Sequence, residues 1–110
     1  MGRINSRAKG AVGEREFAQV LRDAGFGSAR RGQQFSGGTD SPDVKCEELA
    51  EFHFEVKRVE AGNPYNWLAQ AVRDAGDKTP VVAHRRSRED WIAVVRLEDL
   101  LRLLLNRGPR

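Results

Sequence analysis

Apolar and polar positions change period several times along the chain, and each change predicts an element. From about Ala8 or Ala11 to Ala24, Phe17, Val20, Leu21 and Ala24 recur at i, i+3, i+4 and i+7. That is the spacing of an amphipathic helix, and Gly25 stops it. At about 100° per residue, Glu14 falls about 20° from Leu21, on the border of the buried face, while Arg15 points to the opposite side. Ser28–Arg31 and Val44–Cys46 suit short strands, with Glu47–Glu51 as a turn. Phe52–Val59 alternates with period two. Phe52, Phe54 and Val56 take one face; His53, Glu55, Lys57 and Val59 take the other.

Asn63 then reads as a helix cap with Pro64 at the first position. Leu68, Ala71, Val72 and Ala75 make the apolar stripe, and Gly76 ends it. Pro80–His84 and Trp91–Val95 are continuously apolar, as in strands buried on both faces. The last helix, Leu97–Leu105, carries leucines on more than one face. A single core contact would use only a stripe, so the excess suggests a second burial surface such as a subunit interface. The order predicts an α/β fold: a small mixed β-sheet flanked by helices, with the helix after Val59 as a right-handed crossover to a parallel strand.

Length adds that this is one domain, 1–110, able to bury a single core without disulfides. Residues 1–10 read as a flexible basic arm, and 32–42 as a loop rich in turn residues. The lone Cys46 cannot pair within the chain. With His53 and His84 far from it in sequence, it cannot build a zinc site either. It reads as a small buried residue. The chain is expected to be cytoplasmic, without a membrane span or signal peptide, and any metal it takes should be a hard ion.

The net charge of +3 is modest, but its distribution is uneven. Arg3, Arg7 and Lys9 stand in a stretch without acids, Arg30 and Arg31 are adjacent, and Arg85, Arg86 and Arg88 crowd one turn. The acids gather at Glu47, Glu48, Glu51, Glu55 and Glu60. Such segregation suits a polyanionic partner plus an acidic pocket, though a solvated mixed surface would look the same by composition.

The candidate chemistry lies in Asp43, Glu55 and Lys57. Two residues apart on a strand, Glu55 and Lys57 leave the same face. Asp43 opens a neighbouring strand after Pro42. Two carboxylates converging on one point would bind Mg²⁺. The ammonium beside them could orient a water or offset charge developing on a phosphorus centre, which suits phosphodiester hydrolysis. Alternating charges on a wet strand face are the ordinary alternative.

Pro42-Asp43, eleven intervening residues, then Glu55-Val56-Lys57 resembles the signature of the PD-(D/E)XK nucleases. Lys9-Gly10, Gly13-Glu14-Arg15-Glu16-Phe17, Leu21 and Gly25-Phe26 resemble the first helix of the archaeal-type Holliday junction resolvases. Arg30, Ser36-Gly37, Thr79-Pro80-Val81-Val82-Ala83 and Trp91 continue the likeness, which covers about residues 8–96. The resemblance implies a nuclease-like core, Mg²⁺ (Mn²⁺ as an alternative) and four-way DNA junctions cut by paired nicks. It implies Asp43, Glu55 and the helix-borne Glu14 as metal-site carboxylates and Lys57 as the catalytic lysine. Arg30 is implied near the scissile phosphate, with Arg31 open as its substitute, and Ser36 and Arg15 as DNA contacts. Arg3, Arg7, Lys9, Arg31, Arg58, Arg85, Arg86 and Arg88 complete the expected DNA footprint. Gln70 is a further candidate that the helix wheel places away from the Leu68 stripe.

A junction has two-fold symmetry and needs two cuts, so a homodimer is expected, with Trp67, Leu68 and the last helix as interface candidates. A core role for Trp67 is equally open. His53 shares the face of Glu55, so a place near the site is open, but it is read first as a surface histidine. A less selective nuclease, a non-catalytic DNA-binding module and a small protein-interaction domain are the competing readings.

Overall fold

The computed structural model describes residues 6–32 and 42–107, with side chains from residue 10 onward. Helix α1 spans Ser6–Asp23, strand β1 Arg30–Arg31, β2 Val44–Lys45 and β3 Phe52–Lys57. Helix α2 spans Pro64–Ala75, β4 Thr79–His84, β5 Ile92–Val94 and α3 Leu97–Leu105. Gly25 (φ 114°) and Gly76 (φ 62°) follow α1 and α2 directly or within a turn. Asn63 caps α2 as expected, its side chain accepting from the Tyr65 and Asn66 N–H groups. Residues 6–10, part of the expected arm, belong instead to α1, and residues 1–5 lie outside the described residues. Among the described residues, no helix is long and apolar enough to cross a membrane.

The five strands form one mixed sheet in the order β1-β2-β3-β4-β5. Only β3 and β4 are parallel, joined through α2. The register pairs Phe54 with Val81 and Glu55 with Val82. The fold is therefore α/β, a mixed sheet with helices, as the pattern predicted.

Alternation on β3 divides the sheet into two faces. Phe54 meets Phe17 of α1 at 5.6 Å between ring centroids, and Phe17 in turn meets Trp91 at 5.4 Å. Ala18, Ala29, Val44, Cys46 and Ala83 close this core. On the other face α2 packs across β3 and β4 through its buried Ala71 and Ala75. The Trp67–His84 ring contact marks the same side.

Two expectations change. β5 is not buried on both faces: Ile92 and Ala93 are exposed. Among the described residues it pairs only with β4 and forms the sheet edge, which leaves its first two side chains exposed. The expected strand over Ser28–Arg31 shrinks to Arg30–Arg31. There Ser28 instead serves a side-chain cluster: its hydroxyl donates to Glu48, which also accepts from Cys46 Sγ at 3.3 Å. With Ser28 as the main cause, the Glu48 carboxyl is lowered to about 2.

Candidate active site

Sheet alternation brings Asp43 to the face of Glu55. Val44 sits opposite Phe54 and enters the core with it, so its neighbour Asp43 turns to the other side. Asp43 is also locked by its backbone: its N–H donates to the Phe54 carbonyl at 2.9 Å, and its own carbonyl accepts from Gly32 at 2.9 Å. Its Oδ2 accepts from the Val56 N–H at 2.8 Å. The side chain thus takes the ladder bond that a longer β2 would have made, which fixes the carboxylate against the strand carrying Glu55 and Lys57.

The electrostatics are those of crowded acids. The Asp43 carboxyl is raised to about 7, first by burial and then by the charge of Glu55. Glu14 raises it further, while the Val56 N–H and Lys57 act in the opposite direction. A buried carboxylate beside a second one gains most from an added cation.

Glu55 is itself 7% exposed, and its Oε2 lies 2.7 Å from Nε2 of His53, which is 2% exposed. The surface role read for His53 is therefore wrong. α2 covers the strand face that the pattern left wet, and a buried imidazole needs a polar partner. With Glu55 ionised, Nε2 carries the proton and donates it to Oε2. The shared face with Glu55 is the signal for a place near the site, and the sequence reading prefers the surface over it.

Glu14 reaches the site because α1 lies very close to β3. A Cβ on Gly13 would stand 2.5 Å from Arg58 Cβ. Any side chain there would push the helix, and Glu14 with it, away from the sheet. Glu14 Oε1 accepts from Arg31 Nε at 2.8 Å, with the Glu14 side chain 12% exposed. So Arg31 stands beside the acidic cluster. Arg30 turns outward, donating to the Ser28 carbonyl and facing Glu47 at 3.5 Å.

The donor set fits a hard divalent ion. Asp43 and Glu55 each commit one oxygen to the protein, to Val56 and His53, and each has a second. Mg²⁺ commonly takes one or two carboxylates and keeps several waters. Among the described residues, no three His, Cys, Asp or Glu side chains form a ready cage. Glu14, held by Arg31, stands as a neighbouring charge.

The remaining predicted residues are dispersed. Arg15 is exposed on α1. Arg58 is tied to Glu16 at 3.0 Å and to Glu60 at 3.7 Å. Arg85 also faces Glu16, at 3.6 Å, and Arg86 faces Glu89 at 3.7 Å. Arg88 is exposed in the β4–β5 turn with φ 67°. Gln70 is exposed on α2. Arg3 and Ser36 lie outside the described residues, as do the side chains of Arg7 and Lys9.

A mixed sheet with Asp43, Glu55 and Lys57 converging on one face defines a PD-(D/E)XK-type nuclease. The family model described as "Phage putative PDDEXK endonuclease" matches residues 5–109, nearly the whole chain, and the chain belongs to that family. It is thus an endonuclease by family, a phosphodiester hydrolase of a class that typically uses a divalent metal. No curated protein and no solved structure matches it.

Proposed function

We propose that this chain is a metal-dependent, structure-specific endodeoxyribonuclease that resolves four-way DNA junctions by paired symmetric nicks, acting as a homodimer. The observation that carries the chemistry is the approach of Asp43, just ahead of β2, to Glu55 on β3, with burial and then the Glu55 charge raising the Asp43 carboxyl and Lys57 two residues further along the face. Bound Mg²⁺, or Mn²⁺ in its place, supplies a Lewis acid and a more acidic water. Asp43 and Glu55 would hold that ion. The Lys57 ammonium orients the attacking water and offsets negative charge gathering on the phosphate oxygens. Arg31 holds Glu14 in place and offers its remaining guanidinium N–H groups to the scissile phosphate; Arg30 takes a flanking phosphate.

Junction choice is supported by the resemblance of residues 8–96 to the archaeal-type resolvases and by α3. That helix is turned inside out. Asp99 is fully buried, whereas Leu97, Leu101, Leu104 and Leu105 are 48–85% exposed. The neighbouring Arg102 is drawn to Asp99. An apolar face of this kind is self-complementary across a two-fold axis. The occupant we assign is a second copy of the chain, which places two sites at the fixed separation that paired nicks require.

The test is a labelled four-way junction beside matched linear duplex and single strand, with Mg²⁺ or chelator. Paired nicks confined to the junction, lost in Asp43→Asn and Glu55→Gln, are expected. Equal cutting of all substrates would leave a general nuclease; tight binding without cutting in several divalent ions would leave a DNA-binding module. Leu101→Glu with Leu104→Glu should give a monomer by sedimentation. A dimer that survives both changes removes α3 from the interface.

A further inference from the structure

A cleft of about 530 Å³ opens at the carboxyl ends of β3 and β4. None of the proposed chemistry uses it. Trp67, His84 and Ile92 line it, as do Arg85 and Arg86. The volume falls within the roughly 300–1,000 Å³ of small-molecule sites. Crevices outside the carboxyl ends of parallel strands are also where α/β sheets commonly bind ligands.

The cleft is built to hold its aromatic rings still. Trp67 and His84 lie 4.6 Å apart at an interplanar angle of 54°. His84 Nε2 is 3.0 Å from the Val59 carbonyl. A carbonyl only accepts, so Nε2 bears the proton and the ring orientation is fixed. Gly62 (φ 154°) lets the backbone run directly under the indole: a Cβ there would lie 2.3 Å from Trp67.

The backbone links the cleft to the strand that carries Lys57. His84 is the register partner of Lys57, and the Arg85 N–H donates to the Lys57 carbonyl at 3.1 Å. A nucleotide next to a phosphate at Lys57 comes within reach of Trp67.

Charge decides which part of the nucleotide enters. Glu60, Glu89 and Asp90 line the cleft as well. These three carboxylates outnumber the two lining arginines, so the cleft disfavours a phosphate inside it, while Arg85 and Arg86 supply the cations for a phosphate next to it. An uncharged base, with amino groups to donate to carboxylates, suits such a lining. We infer that this cleft is a nucleobase site: it takes an unpaired base next to the scissile phosphate, stacking it on Trp67, while Arg85 and Arg86 hold the phosphate. A fully paired duplex cannot fill it without extruding a base, so the site favours branched or frayed DNA over continuous helix. The inference rests on the proposed function only in taking DNA as the substrate.

The test uses the Glu55→Gln protein with Ca²⁺ and short duplexes in which a single 2-aminopurine is either unpaired at a branch or fully paired. The unpaired probe should be quenched on binding and the paired one not. Trp67→Leu should abolish the quenching and weaken binding of unpaired-base DNA about tenfold, with less than a twofold change for paired duplex. Because Trp67 packs on Gly62, Ile92→Arg, which fills the cleft from an exposed edge position, gives a second reading and should act the same way. Absence of quenching by the Trp67-intact protein, or equal weakening for both DNAs, overturns the inference. Wild-type resolution of junctions without quenching would sink the cleft and leave the resolvase reading. Quenching together with indiscriminate cutting would do the reverse.

Discussion

Two aspartates show how differently one small domain can use a buried carboxylate. Asp99, at the start of α3, is fully buried and lies 2.8 Å from Arg96 Nε and 2.6 Å from Arg102. Its hydrogen bonds to Arg96, more than any other cause, hold its carboxyl below the usual range. Asp43 is raised to about 7, by burial and by Glu55. One acid is matched by cations from its own helix. The other sits with acids and one opposing lysine. Asp99 is stabilised by the fold; Asp43 is held by the fold in a crowded state that an added cation would relieve.

The largest separation between the two should appear in cutting. Asp43→Asn should lower Mg²⁺-dependent nicking by about 10³-fold or more, in line with loss of a preorganised electrostatic group. Asp99→Asn should leave the rate per folded molecule near wild type in a gel assay of nicked product. Comparable losses in both would erase the distinction.

Stability should run the opposite way. Removing the Asp99 charge leaves two arginines without their partner. The arginine side chains are 37% and 51% exposed, so water screens much of the effect, and a loss of about 1–3 kcal/mol in denaturant unfolding is expected. Asp43→Asn should instead stabilise the metal-free protein at pH 8 by on the order of 1–2 kcal/mol.

The pH dependence sharpens this. The folded pKa of Asp43 lies above its unfolded value, so the folded state binds the extra proton between about pH 4 and 7. Its contribution is therefore present below the unfolded pKa and lost as pH rises through 7. Asp99 is depressed, so its contribution is present above the unfolded pKa and lost as pH falls through the folded one. Metal-free melting curves of the Asp43→Asn protein should lose the decline between pH 5 and 8. Persistence of that decline would place its origin elsewhere.

A smaller effect is expected at His53. His53→Phe removes the donor to Glu55 Oε2 and should weaken Mn²⁺ binding by calorimetry about tenfold, the usual range for such outer partners. His53→Gln should recover part of it. The smallest effect belongs to the β4–β5 turn: Arg85→Ala with Arg86→Ala should lower the slope of log K against log salt by about one for each phosphate left unneutralised. An unchanged slope removes the turn from the DNA footprint.

The sequence alone determined what local periodicity and capping can specify. Alternation on Phe52–Lys57 separated Phe54 from Glu55, Asn63-Pro64 set the start of α2, and Leu97–Leu105 came out with its observed bounds. The resemblance implied Asp43, Glu55 and Lys57 together, and their order along the chain pointed to one face. Tertiary structure decided burial and partners. His53 read as wet because one strand cannot show that α2 will cover it. β5 read as buried because apolar residues look the same at a sheet edge as at its centre. Whether Arg30 or Arg31 joins Glu14 depended on strand pairing with β2, and the cleft at Trp67 exists only because Gly62, His84 and Ile92 meet there from three separate segments. Local pattern follows from the steric periodicity of helix and strand. What lies against each face depends on contacts between residues far apart in sequence, and those form only when the sheet is assembled.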